Sequence, residues 1–249
     1  MTLEKILGLA PVVPVLIIDD PDDAVPLGRA LVAGGLPVLE ITLRTPVALQ
    51  CIERMAGEIE GAVVGAGTVL TPALRLACAE AGAQFCVSPG LIEGETAEGA
   101  APLLPGIATA TELMAGLAAG FSFFKLFPAN VAGGIDALKA FASPFQQARF
   151  CPTGGVGPRN AADYLALPNV PAVGGSWMVR PTPCPDSPRT TVNPRPRTSR
   201  STTRPISLTL LPARATASEA SNAATAHARI LSAASDPAST MTVRAASEI

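Results

Sequence analysis

Eight short apolar runs rich in β-branched residues, separated by helix-forming stretches, set the tightest limit on how this chain can fold. They are VVPVLII from Val12, VLEITL from Val38, AVVGAGTV from Ala62, QFCVSP from Gln84, LLPGIA from Leu103, FSFFKLF from Phe121, ARFCPTG from Ala148 and VPAVGGS from Val170. Runs this apolar suit parallel strands covered on both faces. The intervening segments carry helix starts: Asp20 before Pro21, Thr71 before Pro72, Gly157 before Pro158, and Thr109 with Glu112 as a capping box. Gly34-Gly35, Gly82 and Gly120 stand where helices should stop. Eight strands, each leading into a helix and recurring every 18 to 27 residues or so, predict an α/β chain and most economically a (β/α)8 TIM barrel. An open doubly wound sheet competes, but no G-x-G-x-x-G opens the first helix. In the barrel, catalytic groups belong at the C-terminal strand ends.

The pattern stops at Val179. Up to that residue the chain has 9 Lys+Arg against 16 Asp+Glu and all 22 Gly; the remaining 70 residues have 9 against 4, nine Pro, no Lys and no Gly. A last covering helix is expected from Trp177 to about residue 200, yet Pro181, Pro183, Pro185 and Pro188 exclude a helix interior there. The expected division is therefore a barrel over 1–179, its last covering helix absent or altered, and a Pro/Arg/Ser/Thr/Ala-rich C-terminal tail over 180–249. That tail is expected to be largely disordered, with moderate helix propensity over 213–234 but almost no large apolar residues to bury except Ile230 and Leu231. The joint loss of Gly and Lys is what a shifted reading frame of a GC-rich gene would produce, and inspecting the other frames past codon 179 tests it.

A net charge of −2 gives no electrostatic footprint for nucleic acid or an anionic membrane, which leaves a small molecule as the expected partner. Five cysteines without a CxxC pair argue against a disulfide framework and a thiolate metal site. The apolar stretch Ile6 to Ile18 contains Pro11 and Pro14 and runs into Asp19-Asp20-Pro21-Asp22-Asp23, unlike a secretory leader. A cytoplasmic location is expected.

Lysine is scarce, and Lys125 is the one set inside an apolar strand, among Phe123, Phe124, Leu126 and Phe127. Alternation turns it inward near a strand mouth, where desolvation favours the neutral, nucleophilic amine that a Schiff base requires. A snorkelling strand-end lysine is the alternative. Glu40 is a carboxylate in an otherwise buried strand, so it needs a cationic partner or a proton-transfer role. Arg44, four residues on and roughly 13 Å further along an extended strand, would reach the rim where an anionic substrate arrives. Thr68 closes GAGTV with a hydroxyl able to bind a carboxylate oxygen. Gly-Gly pairs in CPTGGVG and VGGSW follow the last two strands, where barrels bind phosphate through backbone N–H groups. The single histidine, His227, lies in the tail, so the barrel's chemistry must use Lys, Glu, Arg and backbone amides, with no metal and no cofactor.

VLEITLRT, GAGTVL, FFKLFPA, FCPTGGV and VGGSW, in this order over residues 3 to 179, closely resemble the bacterial 2-keto-3-deoxy-6-phosphogluconate (KDPG) and 4-hydroxy-2-oxoglutarate (KHG) aldolases. The resemblance implies a class I carbon–carbon lyase of Entner–Doudoroff carbohydrate metabolism, assembled as a homotrimer. It makes Lys125 the Schiff-base lysine and Glu40 the general acid/base, acting through a bound water. Arg44 and Thr68 match contacts to the pyruvate-derived carboxylate, and Thr153 matches a position affecting stereoselectivity. Gly154, Gly155, Gly175 and Ser176 match the phosphate-binding region. A second reading, of another class, is a catalytically inactive barrel whose Arg-rich tail binds an acidic partner; an assay for pyruvate release separates the two.

Overall fold

The computed structural model of this protein describes residues 1–179 and the short strand Val243–Ala245. The expectations for the last covering helix beyond Val179 and for the tail, Cys184 and His227 included, lie outside the described residues. Nine parallel strand segments are β1 (Val12–Ile18), β2 (Val38–Thr42), β3 (Val63–Gly67), β4 (Phe85–Val87), β5 (Leu103–Leu104), β6 (Gly106–Ile107), β7 (Phe123–Leu126), β8 (Arg149–Pro152) and β9 (Val173–Gly175). The helices are α1 (Leu3–Leu7), α2 (Pro21–Ala33), α3 (Ala48–Glu58), α4 (Pro72–Glu80), α5 (Ala110–Ala118), α6 (Gly134–Ala142) and α7 (Ala161–Leu165). The strand β10 (Val243–Ala245) pairs antiparallel with the C-terminal half of β1.

Pairing passes from β1 through β2, β3 and β4 to β5, and from β6 through β7 to β8. Pro105 separates β5 from β6 because it has no N–H to donate, but its carbonyl still accepts from Lys125 N at 2.8 Å. The bridge Thr153↔Gly174 links β8 to β9, and β9 pairs with β1 at Val12↔Val173. The arrangement is a TIM-like α/β fold.

Alternation along each strand divides the core in two. Leu16, Leu39, Ile41, Val64, Ala66, Phe124, Leu126 and Phe150 face the helices, while Val13, Val38, Val63, Phe85, Val87, Leu104 and Cys151 face one another within the ring. Ile6 and Leu7 of α1, 0% and 1% exposed, join that inner cluster and seal the N-terminal end of the strands.

Helix punctuation follows the side chains read from the sequence. Asp20 accepts from Asp22 N, Thr71 from Leu74 N, and Gly82 and Gly120 take left-handed φ just past α4 and α5. Pro158 does not open a helix: Asn160 Oδ1 accepts from Gly157 N and α7 begins at Ala161. At α5, Thr109 and Glu112 form the reciprocal box, and the N–H groups of Ala108 and Thr109 both donate to the Glu112 carboxylate. These bonds, that from Ala108 first, hold Glu112 below its ordinary carboxylate range. A depressed carboxyl contributes stability that is present above the ordinary value of 4.5 and lost as pH falls through the lower folded value. Glu112→Gln is expected to cost about 1 kcal/mol at neutral pH and to flatten this part of the acid limb in urea titrations between pH 2 and 7 or so. An unchanged acid limb would contradict the cap's contribution.

One predicted helix is missing. Residues 88–102, between β4 and β5, contain no helix, because Pro89, Gly90, Gly94, Gly99 and Pro102 interrupt the segment. A buried guanidinium organises it instead. Arg75 of α4, 3% exposed, donates to the carbonyls of Ala101, Thr96 and Glu98 and pairs with the Glu95 carboxylate. Gly99 makes this possible, since a Cβ there would stand 2.5 to 2.7 Å from the guanidinium atoms. Arg75→Met, which strands the Glu95 carboxylate and three carbonyls, is expected to lower unfolding free energy by about 3–5 kcal/mol in denaturant melts. A loss below about 1 kcal/mol would assign the loop's order to something else.

Candidate active site

Lys125 and Glu40 are buried charged side chains of the inner face. They are 6% and 3% exposed, and they meet with Nζ 3.5 Å from Oε1. Their strands arrive from opposite parts of the ring, 85 residues apart in sequence, so this contact is a product of the fold. Two charges this deep are tolerated because each is the other's partner. Phe127, two residues beyond Lys125 and so on the same side, lies beneath the ammonium with its ring centroid 4.9 Å away. Cys151 faces Lys125 in register on β8. Burial, with Glu40 nearby, pushes its thiol up to about 12, so at neutral pH it is an uncharged wall and no rival nucleophile.

Above this pair stand the polar groups of the C-terminal strand ends. Arg44 Nε donates to Thr68 Oγ1 at 3.4 Å. The extended reckoning for Arg44 does not hold: β2 ends at Thr42, and Arg44 lies in the turn that follows, from which it reaches across to β3's end. Thr68 has φ 61°, a left-handed backbone that a β-branched residue rarely adopts, and it immediately follows Gly67, which adjoins the Glu40 carboxylate. Thr153 is buried at the end of β8, where its hydroxyl donates to Cys151 O at 3.4 Å. Gly174 leaves room for that hydroxyl, because a Cβ there would overlap Thr153 Oγ1.

The glycines expected at the phosphate end occupy two adjacent strand ends. Gly154 and Gly155 have φ 91° and 70°, conformations open to glycine at little cost. Gly155 also packs on the Asn130 side chain, and Asn130 N donates to Gly154 O at 3.1 Å. Gly175 closes β9, where the absence of a Cβ admits the Trp177 indole, and Ser176 follows it, half-buried. The structure thus joins Lys125 to Glu40 and Arg44 to Thr68 directly, and it sets Thr153, Gly154 and Gly155 beside Gly174, Gly175 and Ser176 through the β8–β9 bridge.

Phe127, already legible as an apolar neighbour of Lys125, shares its side of the strand through the period of two. Two further contributors are not legible in the sequence. Cys151 and Gly67 required the register between strands, which a single sequence does not display.

A buried amine against a carboxylate, below strand ends that carry an arginine and hydroxyls, can add to a carbonyl and move a proton nearby. Comparison with known proteins agrees. The family model "KDPG and KHG aldolase" matches residues 3–186. A KHG/KDPG aldolase of Escherichia coli (strain K12) is 53% identical over 179 residues, 71% of this chain and 84% of that protein. The crystal structure of the 2-keto-3-deoxy-6-phosphogluconate aldolase of Zymomonas mobilis ATCC 29191 is 51% identical with a TM-score of 0.69, covering 75% of this chain and 91% of that one. The KDPG aldolase of Legionella pneumophila, crystallised with pyruvate captured as a covalent carbinolamine, is 47% identical with a TM-score of 0.68 over 70% of this chain and 86% of that one.

Proposed function

This chain belongs to the KDPG and KHG aldolase family, and from that premise we propose that Lys125 is its Schiff-base lysine and Glu40 its proton-transfer group. The enzyme is a class I aldolase, a carbon–carbon lyase that cleaves 2-keto-3-deoxy-6-phosphogluconate to pyruvate and glyceraldehyde 3-phosphate. Its action on 4-hydroxy-2-oxoglutarate, giving pyruvate and glyoxylate, is part of the proposal. The observation that carries the residue assignments is the 3.5 Å approach of Lys125 Nζ to Glu40 Oε1 on the inner face.

Lys125 attacks the C2 ketone as the free amine, having passed its proton to the carboxylate beside it. Glu40 returns that proton to the carbinolamine hydroxyl, which leaves as water; this regenerates the carboxylate and gives an iminium, which is an electron sink. Glu40 removes the C4 hydroxyl proton; the C3–C4 bond breaks, its electron pair moves to the iminium, and the aldehyde departs. The enamine left on Lys125 is protonated at C3 by Glu40, and water then releases pyruvate. Arg44 and Thr68 take the substrate carboxylate, the guanidinium being suited to two parallel hydrogen bonds. Thr153 faces the reacting carbons, and the backbone at Gly154, Gly155, Gly175 and Ser176 takes the phosphate.

Mass spectrometry after borohydride reduction with pyruvate tests the assignment. The adduct is expected on Lys125, and an adduct on Lys5 or Lys139 would refute it. No described helix is long and apolar enough to cross a membrane. The buried free thiols of Cys51, Cys78, Cys86 and Cys151 support a reducing, cytoplasmic setting. Trimeric assembly, which the family resemblance implies, belongs to the same proposal. The change of composition supports taking 1–179 as the catalytic unit and 180–249 as a separate segment.

A further inference from the structure

We propose that Gly67 is a positioning residue of the reaction: its missing Cβ gives the Glu40 carboxylate the space in which it meets Lys125. The inference rests on the roles given above to Glu40 and Lys125. In register, Glu40 lies opposite Gly65, and Gly67 lies one inward layer closer to the mouth, opposite Thr42. The Glu40 side chain leans toward the mouth and crosses the place where a residue-67 side chain would begin. A Cβ on Gly67 would overlap Glu40 Oε1 and stand 2.8 and 2.9 Å from its Cγ and Cδ, well inside the roughly 3.5–4.0 Å of ordinary carbon contact. These three atoms would be its nearest neighbours, so the closest clash falls on Glu40. Turning the terminal carboxylate is no remedy, because Cγ is involved; the whole side chain must change rotamer and leave Nζ. Gly67 is not among the glycines with positive φ, so alanine suits the strand backbone at this position.

The same strand supplies an internal control. Gly65, also inward, is required for a different reason: a Cβ there would run into the ring of Phe85, a core side chain 1% exposed. Two inward glycines two residues apart therefore have separable duties, one toward packing and one toward the carboxylate.

The test compares Gly67→Ala, Gly65→Ala, Glu40→Asp and the Gly67→Ala/Glu40→Asp double variant in the full chain. The readouts are kcat and KM for the phosphorylated keto acid, borohydride trapping of pyruvate, and Tm. Gly67→Ala, which parts a buried ion pair, is expected to lose some Tm but to keep its pyruvate adduct on Lys125, while kcat per folded molecule falls about 100-fold, in the range of lost acid–base assistance. Gly65→Ala is expected to lose Tm, with its folded fraction turning over normally. In the Glu40→Asp background the shorter carboxylate vacates the contested space, so adding Gly67→Ala should change kcat by less than about 3-fold, the coupling that contact predicts. The proposal is overturned by unchanged kcat per folded molecule in Gly67→Ala, or by equal fold losses in both backgrounds. Absence of a pyruvate adduct on Lys125 in the unmodified chain would instead sink the aldolase assignment beneath it, a result distinguishable from each of these.

Discussion

Lys125→Ala is expected to abolish borohydride trapping of pyruvate and to lower kcat by on the order of 10⁴-fold or more, because it removes the atom that becomes covalently bonded to substrate. The chain makes this reading unusually clean. It has only three lysines, and Lys5 and Lys139 are exposed on helices. The variant also leaves the Glu40 carboxylate, whose side chain is 4% exposed, without its cation. Stranding one member of a buried pair costs about 3–5 kcal/mol, so lost activity alone could reflect lost fold. Lys125→Ala/Glu40→Gln separates the two: it should recover most of the stability and none of the activity. A pyruvate adduct that persists in Lys125→Ala would refute the assignment.

Glu40→Gln should give the complementary phenotype. The amide keeps the shape of the side chain, so carbinolamine and iminium formation on Lys125 should continue, more slowly because water must take the ammonium proton, and pyruvate should still be trapped. What is lost is the group that takes the C4 hydroxyl proton and returns it to C3, and kcat is expected to fall about 10²–10⁴-fold. The fall should appear in the cleavage step under single-turnover conditions. An unchanged kcat would exclude Glu40 from proton transfer and leave it only the charge pairing.

Much of this was legible because strands advertise their period. Leu39 and Ile41 against Val38, Glu40 and Thr42, or Phe124 and Leu126 against Phe123, Lys125 and Phe127, divide outward from inward residues without any coordinates. Helix ends were equally plain at Asp20, Thr71 and Thr109, where a local side chain caps a local N–H. What escaped depended on partners remote in sequence. Nothing near Arg75 says that it will hold a loop 20 residues away, and nothing in GAGTV says which glycine clears space for which neighbour. The segment 88–102 follows the strand rhythm that elsewhere yields a helix, yet its glycines and prolines decide otherwise. Arg44 was placed by extrapolating a strand that ends two residues earlier.

The stopper formed by Ile6 and Leu7 bears on the traffic of molecules. With that end corked, the proposed chemistry sends both halves of the severed sugar acid out past the opposite strand ends, where Arg44 and Thr68 stand. The three-carbon fragment would remain tethered to the lysine as the enamine, so the aldehyde goes first. Departure is therefore sequential by construction.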